Sequence, residues 1–414
     1  MNAMRLDKGE AVRIGFLPLV DSAILIAAQE CGFAQQEGVE IELIREVSWS
    51  NIRDRVVHGR LHAAHMLAGL PIAVSLGLGQ PATPLIAPFS LGLNGNAITV
   101  SIPVADALGL EGLAEPGVSA KSLASLVRRR SAEGLPALRL GIVHPFSSHN
   151  YMLRYWLAYA GLDPDNDMDL VVVPPPYMVD ALQSGEVDGF CVGEPWNSVA
   201  VAQGAGRIVA LGSRIWQRGV EKVLGCRADW AEGNPETLAA LIRALDHAAA
   251  WAGDPANHAA LAEMLAKPAY LNRPAELIWG AIGGRLAVSP GEDAVEARDF
   301  LLFYKDAANF PWVSQALWIY SQMVRWGQVP AGPDTEAAVR RVFRTDLYRQ
   351  ALGQSKTPMP GANAKVEGSL DISLPVGSPR GRLSIGPDRF FDNRVFDPED
   401  IAGYLRVLRA QEAI

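Results

Sequence analysis

The stretch Arg13-Ile-Gly-Phe-Leu-Pro-Leu19 has a counterpart in Arg139-Leu-Gly-Ile-Val-His-Pro-Phe146, 126 residues further along the chain. Each stretch is an apolar run that ends in a proline-containing turn. A helical pattern follows each one, over 22–34 in the first case and over 148–160 in the second. Self-similarity at a fixed offset decides the architecture of a chain before any local detail does. The two stretches therefore predict a duplicated strand–turn–helix unit.

The duplication extends beyond this first unit. Apolar strands are predicted at 39–44 and 169–173, and each leads into a helical segment, at 51–58 and 177–184. Then Gly-Arg-Leu-His-Ala-Ala-His-Met-Leu from Gly59 is answered by Gly-Glu-Val-Asp-Gly-Phe-Cys-Val-Gly from Gly185, again 126 residues later. Near-continuous Val, Ile and Leu runs are typical of parallel strands that helices cover on both faces. The sequence thus predicts an α/β fold of two similar lobes, each a mostly parallel sheet flanked by helices, with a ligand cleft between them.

Turn and cap signals divide the chain further. Gly and Asn residues near position 93 favour a hinge, and Asn234-Pro235 favours a capped helix over 229–251. Asp397-Pro398 predicts the start of a last helix. We expect residues 1–92 to form the first part of lobe I, 93–225 to form lobe II, 226–353 to return as helices to lobe I, and 354–414 to wrap the surface as an extended loop and a C-terminal helix.

Composition excludes several classes of protein. The 414 residues are 49% hydrophobic and 20% charged, which describes a globular chain rather than a disordered one. The net charge of −8 argues against direct binding of nucleic acid. The cysteines at 31, 191 and 226 are far apart and lack the spacing of metal or redox pairs.

The N-terminal twelve residues include Arg5, Asp7, Lys8 and Glu10 and no apolar run of the kind that a signal peptide needs. No run of about 18 apolar residues suggests a membrane-spanning helix. We therefore expect a soluble, cytoplasmic protein that makes no contact with a membrane.

Common motifs of enzymes and of phosphate- or calcium-binding loops are not found, which favours a protein that is not an enzyme. His58, His62 and His65 could share a metal ion at this spacing, but Gly59 interrupts them. In the repeat, His62 aligns with Asp188 at a helix-to-strand turn, which favours a structural polar contact for this histidine. We expect neither a metal ion nor a cofactor.

The richest polar segment lies between a strand and a helix, at 144–150. Free N–H groups at the start of a helix attract anions, and His149 can donate a further hydrogen bond. An ordinary helix cap by Ser147 or Ser148 explains the same pattern. Trp49 and Trp196 each follow a strand, where a tryptophan can wall a pocket or fill a core.

Six strings carry a resemblance to a known family: R-I-G-F-L-P-L from Arg13, G-R-L-H-A-A-H-M-L from Gly59, H-N-Y-M-L-R-Y-W-L-A-Y-A-G from His149, V-V-P-P-P-Y-M-V from Val172, G-F-C-V-G-E-P-W-N from Gly189 and E-K-V-L-G-C-R-A-D-W from Glu221. They resemble the nitrate- and bicarbonate-binding solute receptors of ABC transporters over nearly the whole chain. That resemblance implies a periplasmic-binding-protein-like fold of type II. Without an export signal, the chain is most similar to the cytoplasmic nitrate/nitrite sensor of the NasS type.

The resemblance also implies a ligand set. Trp49, His149 and Lys222 match the family's nitrate ligands, and the family's glutamine near the lobe crossing corresponds to Asn94 or Asn96. Further candidates for lining the cleft are Pro18, Pro175, Glu194 and Trp196. A planar monoanion needs a compensating charge, which Lys222 supplies, together with several donors. Bicarbonate-binding relatives have a carboxylate and a calcium ion at the lysine position, so Lys222 favours nitrate or nitrite.

The function that we expect on this basis is a sensor. Nitrate or nitrite closes the lobes, and the unliganded form holds an antiterminator response regulator of the NasT type, a protein that itself binds RNA. The first alternative is the substrate-binding component of a nitrate or bicarbonate ABC transporter. The second is an enzyme on the same fold, for which Cys191 is the only thiol near the expected cleft.

Overall fold

The structure, a computed structural model, describes Leu6 and residues 9–412. The first residues of the predicted lobe I and the last two of the chain lie outside the described part. Two five-stranded sheets form the centres of two lobes. Lobe I contains β1 (Val12–Phe16), β2 (Ile41–Arg45), β3 (Ala63–Leu67), β4 (Leu85–Ser90) and β11 (Lys222–Arg227). Lobe II contains β6 (Asn96–Ser101), β7 (Leu138–Ile142), β8 (Met168–Val172), β9 (Gly189–Gly193) and β10 (Gly206–Leu211).

The sheets share one topology, which confirms the predicted duplication. Their strand orders are β2-β1-β3-β11-β4 and β8-β7-β9-β6-β10. In each sheet the first three strands are parallel, and the fourth runs antiparallel to them. β1 and β7 start 126 residues apart, as do β3 and β9. Every residue of β3 and β9 is buried, as expected for strands that helices cover on both faces.

Small antiparallel pairs complete the strands: β5 (Leu93–Asn94) with β14 (Leu301–Leu302), β12 (Arg285–Leu286) with β13 (Val295–Glu296), and β15 (Leu374–Val376) with β16 (Leu383–Ile385). The helices are α1 (Ala23–Glu30), α2 (Phe33–Gln36), α3 (Trp49–Val57), α4 (Gly69–Ser75), α5 (Ile102–Leu108), α6 (Pro116–Ala132), α7 (Ser148–Tyr159), α8 (Met178–Gln183), α9 (Trp196–Ala202), α10 (Gly212–Ile215), α11 (Ala228–Gly233), α12 (Pro235–Ala252), α13 (His258–Ala266), α14 (Ala275–Gly283), α15 (Val313–Arg325), α16 (Pro333–Arg340), α17 (Thr345–Leu352) and α18 (Ile401–Glu412).

The chain crosses between the lobes twice within this sheet framework. It leaves β4 of lobe I, passes through β5 and enters lobe II at β6. It returns after α10 and enters the first sheet at Lys222, the first residue of β11. The structure thus places the return four residues before the predicted boundary at 226. The sequence could not indicate this, because an antiparallel strand that follows a lobe crossing carries the same apolar pattern whichever sheet it joins.

Three predicted helices differ in detail from the structure. Gly32, with φ of 73°, ends the predicted helix 22–34 early and separates α1 from α2. Asn234 separates α11 from α12, and its side-chain amide donates to Trp230 O at 2.8 Å instead of capping α12. The last helix begins at Ile401, because Asp397 accepts a hydrogen bond from Glu399 N at 2.9 Å within a preceding turn.

A buried ionic cluster fixes the segment after α17. Lys365 pairs with Glu367 and with Asp388 (2.5 Å), and Ser314 of α15 donates to Glu367 at 2.6 Å. Within the described residues, no helix is both long enough and apolar enough to cross a bilayer.

Candidate functional site

Eight polar or aromatic side chains meet where the two crossings between the lobes lie side by side. Each is at most 4% exposed, so protein surrounds the group on all sides. We call this group the cleft cluster; its members are Asp21, Trp49, His65, Asn96, Ser148, His149, Glu221 and Lys222. Lobe I supplies Asp21 after β1, Trp49 at the start of α3, His65 on β3 and Lys222 on β11. Lobe II supplies Asn96 on β6 and Ser148 and His149 at the start of α7.

Lys222 provides the buried cation of the cleft cluster. Its Nζ lies 2.7 Å from Asp21 Oδ2 and 2.9 Å from Glu221 Oε1. The same ammonium lies 5.4 Å from the centre of the Trp49 ring, within the range of a cation–π interaction. Burial alone would lower the pKa of Lys222, but the two carboxylates outweigh it and raise the pKa, so the side chain is charged at neutral pH.

Glu221 accepts hydrogen bonds from both lobes. Ser148 Oγ donates to Oε2 at 2.7 Å and Asn96 Nδ2 donates to the same oxygen at 3.1 Å. Lys222 and the Nδ1 atom of His149 contact Oε1. Burial alone would raise the pKa of Glu221, but Lys222 and then His149 lower it well below its usual range. The carboxylate is therefore ionised, and it joins β6 and α7 of lobe II to β11 of lobe I.

A second carboxylate–histidine pair lies within lobe I. His65 Nε2 is 2.9 Å from Asp21 Oδ1, and the His65 ring packs against Trp49 with centres 5.3 Å apart. Burial would raise the pKa of Asp21, but Lys222 and then His65 lower it. Burial lowers the pKa of His65 and Asp21 offsets this only in part, so His65 is uncharged at neutral pH.

Several polar atoms of the cleft cluster have no hydrogen-bond partner among the described residues. They are Trp49 Nε1, both ring nitrogens of His65, His149 Nε2, Asn96 Oδ1 and Asp21 Oδ1. A buried polar group without a partner costs free energy, about 1–3 kcal/mol, and such groups are rare in folded proteins. Four of these atoms are ring nitrogens, and they are suited to hydrogen bonding a small polar molecule held between the lobes.

The structure distinguishes between the two candidate amides. Asn96 belongs to the cleft cluster, and a Cβ atom at Gly212 would lie only 2.0 Å from its Oδ1, so glycine at 212 leaves room for this side chain. Asn94 does not belong to it. Its amide donates to Gln217 O at 2.8 Å and accepts from Gly219 N at 3.1 Å, which ties the two lobe crossings together.

The further candidates for lining the cleft have different surroundings. Glu194 N donates to Gly95 O, and Glu194 O accepts from Val20 N at 2.8 Å, a hydrogen bond between the lobes. Burial raises the pKa of the Glu194 carboxyl to about 7. Trp196 is buried beneath the guanidinium of Arg273. Pro18 and Pro175 are buried, and no hydrogen bond of theirs links them to the cleft cluster.

The polar segment at 144–150 contains both a helix cap and members of the cleft cluster, which are the two interpretations that the sequence left open. Ser147 is the N-cap of α7, because its Oγ accepts from Asn150 N at 3.1 Å. The next two residues, Ser148 and His149, turn inward to Glu221. His144 Nδ1 accepts from Phe146 N, and burial lowers the pKa of His144 to about 4, so this histidine is uncharged at neutral pH.

The three clustered histidines do not converge on one point. His58 is exposed, and His65 faces Asp21. His62 Nδ1 accepts from Arg13 N at 3.0 Å, and in the second repeat Asp188 accepts from Arg139 N at 2.7 Å. The predicted structural contact is thus confirmed: the same backbone N–H is bound 126 residues apart by a histidine in one lobe and by an aspartate in the other. No group of three potential metal ligands occurs among the described residues.

Sequence reasoning missed half of the cleft cluster: Asp21, His65, Ser148 and Glu221. Asp21 and Glu221 would have been found from charge balance, since a fully buried lysine needs an acidic partner. His65 was considered only as a metal ligand, and Ser148 only as a cap.

Two lobes of one topology, joined at a buried polar cluster, define the periplasmic-binding-protein-like fold. The chain belongs to the NMT1-like family, whose model matches residues 7–266. The expected fold is thereby confirmed.

Several relatives of the chain have names that refer to nitrate. The chain is 33% identical to the nitrate/nitrite binding protein NrtA of Synechococcus elongatus, over 97% of this chain and 86% of that protein. It is 37% identical to the nitrate import ATP-binding protein NrtC of a Synechocystis strain, over 95% of this chain but only 54% of that protein, so it spans about half the length of this relative. The crystal structure of the periplasmic nitrate-binding protein NrtA from Synechocystis PCC 6803 superposes with a TM-score of 0.84 at 29% identity and covers 96% of this chain and 98% of that one.

These comparisons confirm the resemblance to nitrate receptors of ABC transporters. They also confirm that the chain is not an enzyme, because the relatives that it matches over most of their length are binding proteins. These comparisons do not distinguish a NasS-type sensor from a transport receptor.

Proposed function

We propose that this chain is a receptor that binds nitrate or nitrite between its two lobes. The observation that carries the proposal is the cleft cluster, in which one buried ammonium, Lys222, occurs together with unpartnered ring nitrogens of Trp49, His65 and His149. The names of the relatives, nitrate/nitrite binding protein and nitrate-binding protein, support the choice of anion.

The chemistry of the cleft cluster suits a planar monoanion. Nitrate and nitrite are both planar, so ring N–H donors can reach their oxygens edge-on, and Lys222 supplies a positive charge to the site. The Trp49 ring adds a flat apolar wall. A sealed site strengthens each of these interactions, because little water competes for the hydrogen bonds.

A role in transport is the form of this function that the comparisons favour. In that role the receptor delivers its anion to the membrane components of an ABC importer. The relatives named for nitrate import and nitrate binding support it. The partners would then be a permease and its ATPase.

Control of an antiterminator is the second form. Here the unliganded receptor stays in the cytoplasm and holds a NasT-type response regulator, and it does not bind nucleic acid itself. Both forms need a surface that depends on lobe position. Val47, two residues after β2, and Val172, the last residue of β8, are exposed apolar residues near the ends of the edge strands of the two sheets, so lobe closure would change the distance between them.

Titration calorimetry tests anion binding. The dialysed protein is titrated with nitrate, nitrite, bicarbonate and chloride, and the titrations are repeated on Lys222→Ala and His149→Ala. We expect a micromolar Kd for nitrate or nitrite, equivalent to about −8 kcal/mol, and its loss in both variants. Lys305→Ala, a change at an exposed lysine, is the matched control. No heat with either anion, together with an unchanged melting temperature, would overturn the proposal.

Partner capture separates the two forms of the function. The tagged receptor is purified from its native host with and without nitrate, and the bound proteins are identified by mass spectrometry. Permease and ATPase subunits support transport, whereas an RNA-binding regulator that nitrate releases supports the sensor. Fractionation of the same cells tests the cytoplasmic location.

A further inference from the structure

The cleft cluster consists of two halves that meet at Glu221. The lobe I half is Asp21, Trp49, His65 and Lys222, and the lobe II half is Asn96, Ser148 and His149. Among the described residues, no side-chain hydrogen bond or ion pair joins a member of one half directly to a member of the other, and every connection of this kind passes through Glu221. This side chain is therefore the connection between the two halves.

The carboxylate of Glu221 has partners in both lobes. Its Oε2 accepts hydrogen bonds from Ser148 at 2.7 Å and from Asn96 at 3.1 Å, both in lobe II. Its Oε1 lies 2.9 Å from Lys222 Nζ of lobe I and also contacts His149 Nδ1 of lobe II. An ionised carboxylate offers about four acceptor positions. Each oxygen of Glu221 thus has two partners, and the lobe II half supplies all of them except Lys222.

Separation of the lobes breaks the lobe II contacts of Glu221 and leaves its lobe I contact in place. Glu221 and Lys222 are adjacent in the chain where it enters β11, so they move together. Hydrogen bonds to an ionised group are roughly twice as strong as those between neutral groups. Glu221 is only 1% exposed, so little water competes for these contacts. One buried side chain therefore favours the closed arrangement of the lobes.

On the basis of the proposed function, we infer that Glu221 is a positioning residue that holds the lobes closed over the bound anion. Trp49 Nε1 of lobe I and His149 Nε2 of lobe II are both unpartnered within the described part of the chain, so an anion that contacts both rings adds a second connection between the lobes. Glu221 does not contact the anion in this arrangement. It acts through Lys222 and His149, whose ammonium group and ring it holds at the site.

Removal of Glu221 has two opposite effects on anion affinity. The negative charge of its carboxylate repels an anion, so its loss favours binding. The loss of its lobe II contacts disfavours the closed form, to which the anion binds. The affinity alone therefore does not report the role of Glu221. The decisive quantities are the extent of lobe closure at saturating nitrate and the rate at which nitrate leaves.

Small-angle X-ray scattering measures lobe closure. The dialysed natural chain and Glu221→Ala are each measured without nitrate and at saturating nitrate. We expect nitrate to reduce the radius of gyration of the natural chain and to leave that of the variant near its value without nitrate. Asp21 still pairs with Lys222 in the variant, so the buried ammonium keeps a counter-charge, and the melting temperature reports whether the variant is folded.

Stopped-flow dilution measures nitrate release through tryptophan fluorescence. The loss of a single hydrogen bond to a charged group changes an equilibrium about tenfold or more, so we expect release from Glu221→Ala to be faster by about that factor. Glu221→Gln keeps the length of the side chain and an acceptor oxygen for Ser148 and Asn96. We expect it to release nitrate at an intermediate rate, and it replaces the alanine variant in both measurements if that variant does not fold.

Glu399→Gln is the matched control, because Glu399 is exposed and its ion pair with Arg340 lies outside the cleft cluster. It should close and release nitrate as the natural chain does. Full closure of the Glu221 variants, or an unchanged release rate, would overturn this inference and leave the proposed function standing. A natural chain that binds nitrate with no change of radius would overturn it as well. Failure of the natural chain to bind nitrate would instead remove the proposed function.

Discussion

Glu221 and Lys222 are neighbours in the chain, and their charged groups meet, with Lys222 Nζ 2.9 Å from Glu221 Oε1. Successive residues of a strand point to opposite faces of the sheet. Glu221 precedes β11 and still belongs to the crossing between the lobes, whereas Lys222 is the first residue of the strand. The pair therefore joins the crossing to the sheet, and both residues reach the junction of the lobes.

Replacing Lys222 by methionine should destabilise the protein. Methionine has a similar length but no charge, so Asp21 and Glu221 would be left as buried carboxylates without their cation. We expect a loss of about 3–5 kcal/mol in the free energy of unfolding, measured by denaturant titration. Lys305→Met, which changes an exposed lysine, should cost less than about 1 kcal/mol. Equal stability of the two variants would show that Lys222 does not compensate the buried acids.

Replacing Trp49 by phenylalanine should weaken anion binding while the lobe remains folded. The change keeps an aromatic wall beside Lys222 and removes the unpartnered Nε1–H. A hydrogen bond to a charged group contributes about 1.5–3 kcal/mol, so we expect the Kd for nitrate to rise by about 10- to 150-fold in calorimetry. Trp279→Phe, at an exposed tryptophan of α14, is the control. An unchanged Kd for Trp49→Phe would mean that the indole N–H does not contact the anion.

Alanine substitutions at Asn94 and Asn96 should affect different properties of the protein: stability at Asn94 and anion affinity at Asn96. Asn96→Ala removes a cleft-cluster donor that holds Glu221, and we expect weaker nitrate binding by calorimetry. Asn94→Ala removes hydrogen bonds between the lobe crossings at a residue with φ of 64°, so we expect a loss of about 1–3 kcal/mol in stability, measured by thermal unfolding. A larger loss of affinity for Asn94→Ala than for Asn96→Ala would contradict this assignment.

Glu194→Gln should stabilise the protein at high pH. The pKa of the buried carboxyl is raised from 4.5 to about 7, so the folded state binds more protons than the unfolded state between these values. Stability is complete below pH 4.5 and declines as the pH rises through 7. The glutamine variant lacks this loss, and we expect it to gain about 1–3 kcal/mol over the natural chain at pH 8 and little at pH 4.5. Denaturant titrations at the two pH values measure the difference. A gain that is the same at both would show that Glu194 ionises normally.

The duplicated fold was predictable from the sequence because its strands are apolar runs at a fixed offset. The return of the chain to lobe I at Lys222 was not, since strand pairing across a sheet is decided by contacts far apart in sequence. The breaks at Gly32 and Asn234 come from the local conformation of these two residues, which the apolar pattern of the helices does not reveal.

Of the candidate site, family resemblance supplied Trp49, His149 and Lys222, and the structure brings all three together. The family resemblance could not choose between Asn94 and Asn96, because these residues lie two positions apart in one extended segment and only their surroundings in the fold distinguish them. Asp21 and Glu221 were missed because acidic residues are not expected in an anion site unless the charge of each buried partner is counted.

The complete burial of the cleft cluster has a kinetic consequence. Since every member is at most 4% exposed, no anion can leave while the lobes stay in this arrangement. Dissociation then has to wait for the lobes to separate, and this motion sets an upper limit on the release rate. In the proposed receptor neither nitrate nor nitrite, whatever its affinity, can escape faster than the protein opens, so residence time becomes a property of the hinge as much as of the ligand.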